Sequence, residues 1–372
     1  MSGAPIDFDA EGLLDGLEGR ARSERLALLQ ALAREGVPLE QLRRTTEAGT
    51  VMFLPANRMI GGPVRYTAAE VARLSGVELD FLLACQRAMG LPTPEADEAA
   101  FTDDDLEGAR RSRVAQEAGV SDEDMLELLR VLGRGLSQAA DTMRALPLKL
   151  VLRPGMSEHE LALHYAEAVS ELYPLVNPLV GNVLASHLRR ATEGEVISAV
   201  ERTEGHLPGS REVSVCFADL VGFTRLGEDV APDELGRLAA RLETLAAEVA
   251  RSPVRLVKTI GDAAMLAAPT PEPLLDAALE LIEAAESEGE DFPQLRAGAA
   301  SGMALPRAGD WFGRPVNLAS RITSVARPGS LLIERRLRDA APASYRYSFA
   351  GERRLRGVRE PVALFRVRAP TA

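Results

Sequence analysis

Two aspartates and one lysine are the groups best placed to do chemistry. Asp219 follows the apolar run REVSVCFA and is trailed by Gly222, whereas Asp262 sits beside Gly261 in VKTIGDAAM, residues 257–265. Paired carboxylates beside glycine-containing turns offer hard oxygen ligands for a divalent cation and backbone amides for phosphate oxygens, the equipment for a metal and a triphosphate. The lysine is Lys258. Lysine plus arginine total 43, yet only Lys149 and Lys258 are lysines. A lysine kept at 258 suggests a task for a compact ammonium with rotatable donors, which a planar guanidinium does badly.

The elements that must position these groups begin near residue 211. REVSVCFADL reads as a core strand. APDELGRLAARLETLAAEVARS sets Leu235, Leu238, Leu242, Leu245 and Val249 along one helix face. VRLVKTIGDAAMLAAP reads as a hairpin turning at Gly261, and PEPLLDAALELIEAAESEG as a second helix. LRAGAASGMAL (strand), PVNLASRITSVA (helix), GSLLIERRL (strand into helix) and the strands YRYSFA, ERRLRG and PVALFRV follow. The order is that of a ferredoxin-like βαββαβ unit with a C-terminal extension. Adjacent antiparallel strands would bring Asp219 and Asp262 to one sheet end.

The first half has a different texture. Residues 1–200 carry 20 basic and 31 acidic side chains against 23 and 24 in residues 201–372. It reads as an all-α module of amphipathic helices. ARSERLALLQALAREG would be capped by Ser23 and stopped by Gly36. RYTAAEVARLSGVELDFLLACQRAMGLP looks like a helix-turn-helix with Thr67 as cap and Ser75–Gly76 as turn, and FTDDDLEGARRSRVAQEAGVSDEDMLELLRVL resembles the rest of a MerR-type winged helix. Its acidity opposes a phosphate-binding surface, so no nucleic-acid partner is expected. Two cysteines make no disulfide framework, no secretory signal is visible, and no 18-residue apolar run offers a membrane span, so a cytoplasmic location is expected. All four histidines, His159, His164, His187 and His206, lie within 48 residues. They are expected to report pH to the second half. A lipid in an apolar pocket near 172–185 is an alternative signal.

FADLVGFT, KTIGDAAM and DWFGRPVNLASR together resemble the signature segments of class III nucleotidyl cyclases, and the resemblance covers roughly 211–368. It divides the chain into a helical regulatory, autoinhibitory domain (1–190), a linker (191–210) and a cyclase catalytic domain (211–372). It implies a head-to-tail homodimer with shared active sites, ATP as substrate, and two Mg²⁺ or Mn²⁺ ions per site held by Asp219 and Asp262. By the same resemblance Asn317 orients the ribose and Arg321 stabilises charge on the transferring phosphoryl group. Their spacing of four puts both on one helix face. Lys258 and Asp310 supply the donor and acceptor that select adenine, while Phe217, the amides of 220–224 and Arg356 contact the nucleotide. Only a reduced dimerisation arm is expected between Ala299 and Asp310. The alternatives are a guanylate cyclase, which Lys258 and Asp310 oppose, and an inactive nucleotide-binding module.

Overall fold

The structure, a computed structural model, describes residues 6–193 and 209–369; His206 lies outside them. The contacts divide the chain into two compact units, residues 1–195 and 196–372.

In the first unit α1 (Gly19–Arg34), α2 (Leu39–Glu47) and α3 (Leu54–Gly61) precede α4 (Ala68–Ser75) and α5 (Leu79–Met89), with α6 (Asp103–Glu117), α7 (Asp122–Val151) and α8 (Glu158–Glu193) following. Thr67 caps α4 in a capping box with Glu70, and Gly76 ends it at φ +78°. Both therefore act as a helix-turn-helix requires. Ser23 does not cap α1, because that helix begins four residues earlier and the Ser23 hydroxyl donates to the Arg20 carbonyl instead. The unit is also not purely helical. Strands β1 (Tyr66–Thr67) and β2 (Ala99–Phe101) form an antiparallel ribbon, pinned by Phe101, which is 2% exposed. Runs this short show no alternation that a sequence pattern could register. On α5, Gln86 turns into the core at 8% exposure. In the stretch considered for a lipid signal, Leu175, Leu179 and Val183 lie exposed along α8. Among the described residues no helix is long and apolar enough to cross a membrane.

The second unit is a mixed sheet. Its strands are β3 (Arg211–Leu220), β4 (Arg255–Ile260), β5 (Ala263–Ala268), β6 (Leu295–Arg307), β7 (Asp310–Phe312), β8 (Ser330–Glu334), β9 (Arg346–Arg353) and β10 (Val362–Arg368). The order is β4-β5-β3-β6-β8-β10-β9, with β7 pairing β6; only β6 and β8 run parallel. ERRLRG is not a separate strand, because Glu352 and Arg353 complete β9 and a turn closed by Val358 N–H to the Leu355 carbonyl follows.

The two faces of the sheet are covered differently. Besides α9 (Phe223–Asp229), the unit has α10 (Pro232–Val249), α11 (Pro271–Ser287), α12 (Arg314–Thr323) and α13 (Arg335–Ala340). Leu242 and Leu245 of α10 and Leu274, Leu275 and Leu281 of α11 bury against Cys216, Ala218 and Leu266. Each such leucine contributes about 1.5–3 kcal/mol of burial. The opposite face, with Val213, Val215, Met265 and Ala300, is covered by α12 through Leu318, Ala319 and Ile322. Two glycines let α12 lie this close. A Cβ on Gly298 would meet the Thr323 nitrogen at 2.3 Å, and one on Gly313 the Met303 carbonyl oxygen at 2.8 Å. Strands β6 and β7 form an arm whose two-residue turn places Ala308 at φ 52° and Gly309 at φ 80°. Such turns match strand twist but penalise a side chain at φ > 0.

Gly298→Ala should therefore destabilise by about 1–3 kcal/mol, as overpacking does. Ala308→Gly should gain about 0.5–1 kcal/mol by relieving the left-handed alanine. Thermal unfolding of the two variants checks both signs.

Candidate active site

Backbone pairing brings the two aspartates together. Asp219 stands opposite Ala263 on β5 and opposite Arg296 on β6, and the Leu220 N–H donates to the Asp262 carbonyl at 2.9 Å. Burial, followed by the negative charge of Asp219, pushes the Asp262 carboxyl above its ordinary value. Two carboxylates this close resist joint ionisation, and a cation between them would remove that cost. Among the described residues no group of three or more histidines, cysteines or acids gathers. A pair of carboxylates, with further oxygens left to substrate phosphates, is a donor set that suits Mg²⁺ or Mn²⁺.

Arg296 is the site residue that sequence reasoning missed. Its Nη2 and Nε donate to the Asp219 Oδ2 at 2.5 and 2.9 Å, and its Nη1 reaches the Ser324 carbonyl at 3.4 Å. The guanidinium thus ties the acidic sheet end to the end of α12. The available signal was a lone charge in the otherwise apolar LRAGAASG.

Lys258 and Asp310, 52 residues apart, form an ion pair between the Lys258 Nζ and the Asp310 Oδ2. A bulge in β4 makes this contact accessible. Leu256 pairs with Leu266 but Lys258 pairs with Met265, so Val257 is an extra residue. In a regular ladder Lys258 would face Ala264, on the side buried under α10 and α11; the bulge returns it to the face of Met265. Asp310 is fixed from its other oxygen, since the Trp311 N–H donates to its Oδ1 at 2.8 Å.

The remaining predicted residues are placed as follows. Asn317 and Arg321 are exposed one turn apart on α12, and no side-chain partner within the described residues engages either. Phe217 packs against the cluster under α12, and its carbonyl accepts from the Thr323 hydroxyl at 3.2 Å. The amides of Leu220 and Val221 are committed to the Asp262 and Gln294 carbonyls, which reduces the expected backbone cradle to residues 222–224. Arg356 is exposed in the turn after β9, beside Gly357 at φ 78°. The three histidines among the described residues do not cluster. His159, half-buried in the first turn of α8, has a buried Nδ1 without a partner, whereas the exposed His164 Nδ1 lies 2.8 Å from the Glu160 carbonyl. His187 is exposed 23 residues beyond His164, roughly 35 Å along an ideal helix.

Residues 6–192 match the model of the adenylate cyclase regulatory domain, and residues 207–368 that of the adenylate and guanylate cyclase catalytic domain. A pH-sensitive adenylate cyclase of Mycobacterium tuberculosis is 44% identical over 370 residues, covering 97% of this chain and 92% of that protein. An adenylate cyclase of Streptomyces griseus is 36% identical over 281 residues, 74% of this chain and 68% of its own. Among solved structures, the adenylyl cyclase CyaB of P. aeruginosa aligns at 19% identity and a TM-score of 0.38, over 44% of this chain and 98% of its own. The carboxylate pair at one sheet end and the regulatory and catalytic matches on either side of residue 200 converge: this chain belongs to the adenylate and guanylate cyclase family.

Proposed function

We propose that the chain converts ATP to 3′,5′-cyclic AMP and pyrophosphate as a homodimer, under control of its first unit. The Lys258–Asp310 pair carries the choice of purine. Adenine presents an acceptor at N1 and a donor at its exocyclic amine, which an ammonium and a carboxylate complement; guanine presents the reverse. Leaving one such group unpaired costs about 1–3 kcal/mol, so a double mismatch discriminates strongly.

Asp219 and Asp262 would hold two Mg²⁺ or Mn²⁺ ions, which when bound supply Lewis-acid stabilisation of the ribose 3′-hydroxyl and the triphosphate. Arg321 forks onto phosphoryl oxygens, Asn317 orients the ribose, and Arg356 contacts the triphosphate. Phe217 and the amides of 222–224 line the phosphate end. Asn317 and Arg321 have no side-chain partner among the described residues, which supports a site completed by a second copy. Ile260, Met303 and Phe312, each more than half exposed, are apolar surface such a copy would cover. The antiparallel order β4-β5-β3-β6, with α10 and α11 on one side, supports a ferredoxin-like core.

Control by pH would act within the first unit. His159 lies beside a network in which Arg25 pairs with Glu158, and Arg20 with Glu24 and with Glu160 at 3.1 Å, joining α1 to α8. A proton on that imidazole adds charge among these pairs.

In the full-length protein with Mn²⁺, cyclic AMP should form from ATP with little product from GTP. Asp219→Ala should lower kcat by about a hundredfold or more. Absence of product from either nucleotide would overturn the reading. The Asp262 carboxyl is raised in the folded state, so its charge costs stability increasingly as pH rises from the unfolded value near 3.8 through the folded one. At pH 7 in a chelator, Asp262→Asn should accordingly raise the Tm while abolishing activity; a lowered Tm would contradict this balance. Glutamine at positions 159, 164, 187 and 206 should flatten the pH–activity profile, and an unchanged profile would remove the histidines as sensors.

A further inference from the structure

The arm that carries Asp310 returns along β6 and passes directly into α12. Strand β7 is three residues long and pairs only with β6, beyond a turn strained at Ala308. Trp311 helps fix Asp310 against Lys258, since its N–H holds the Asp310 Oδ1 and its ring packs on the cluster under α12. On that ring rests a second group. The Arg211 guanidinium carbon lies 5.3 Å from the indole centroid. Strand pairing accounts for the contact: Arg211 stands opposite Ala304, and Trp311 opposite Pro306, two residues further along β6 and so on the same face. No carboxylate among the described residues pairs with Arg211, so the indole is its principal neighbour.

We propose that Arg211 is a positioning residue for purine selection, clamping the Trp311 ring and thereby holding the Asp310 carboxylate at the spacing that an adenine edge requires. This rests on the reading of Asp310 as a purine contact. A cation over an indole face is attracted by the ring quadrupole, and most strongly over tryptophan among the aromatic rings. Loss of the clamp lets β7 turn on its single ladder, which moves Asp310 relative to Lys258 but leaves Asp219 and Asp262, at the other end of β3, in register. Purine discrimination should suffer while the metal-dependent step does not.

Trp311 is the only tryptophan in the chain, so its fluorescence reads the contact directly in the full-length protein. Arg211→Ala should make the emission more accessible to a neutral quencher. It should also lower the ratio of kcat/KM for ATP over GTP by about threefold to tenfold, through KM for ATP rather than kcat, as expected of one cation–π contact. Arg211→Lys, which keeps the cation, should restore most of both. Altered emission with an unchanged ATP-to-GTP ratio overturns the proposal, as does failure of the lysine variant to recover the ratio. Asp310→Ala, run alongside, separates the two levels. If it changes purine preference and Arg211→Ala does not, the positioning role alone falls. If it changes nothing, the purine reading falls and takes this proposal with it.

Discussion

Strand β3 lies between β5 and β6, and its pairing with both imposes on the site a charge arrangement that side chains alone would avoid. Asp219 cannot leave Asp262 without unzipping β3 from β5, because the Asp219–Ala263 register and the Leu220–Asp262 backbone bond are parts of one ladder. The repulsion is eased in two ways inside the chain. Arg296 sits on Asp219, and the Asp262 carboxyl holds its proton more tightly than an exposed aspartate would. Both are substitutes for a cation. On the proposed reading the arrangement would give up some stability in exchange for readiness to bind one, as working sites do.

The rest of the unit serves this sheet end by keeping its faces different. Helices α10 and α11 seal one face with leucines. The other is left shallow, with α12 pressed close at Gly298 and Gly313 so that its polar residues stand clear. The bulge at Val257 and the β6–β7 arm then deliver Lys258 and Asp310 to that shallow face. Val257 and Trp311 pack at the edge of the cluster under α12, and both features direct the neighbouring polar side chains.

Much of the second unit was legible because periodicity and punctuation agree there. The leucine stripe of α10, the Gly261 hairpin and the strand–helix alternation each follow from local rules. The bulge was not legible, since VRLVKTI alternates no worse with Val257 as an extra residue than without it. An arm after Ala299 was expected only in reduced form, and its return strand β7 escaped because three residues carry no pattern, while the first turn position is Ala308 where a glycine or asparagine would have announced it. Arg296 was readable as a residue but not as a partner: its role depends on which residue of β3 it faces, and pairing register is a long-range property. In the first unit Thr67 and Gly76 were clear because capping is local. Ser23 misled because the same chemistry can bond back to a helix carbonyl.

If Lys258 and Asp310 read the purine, as proposed, their contact changes what binding means there. A pocket with an unpaired donor and an unpaired acceptor would attract any ligand offering either. Here the two groups already satisfy each other, so entry of a base would be an exchange reaction in which the internal partner must be outcompeted. A base that engages only the lysine strands the aspartate, and one that engages only the aspartate strands the lysine. On that reading the internal pair would set a threshold: a half-matched ligand would lose to the protein's own side chain, and only a base that replaces both bonds at once would displace it.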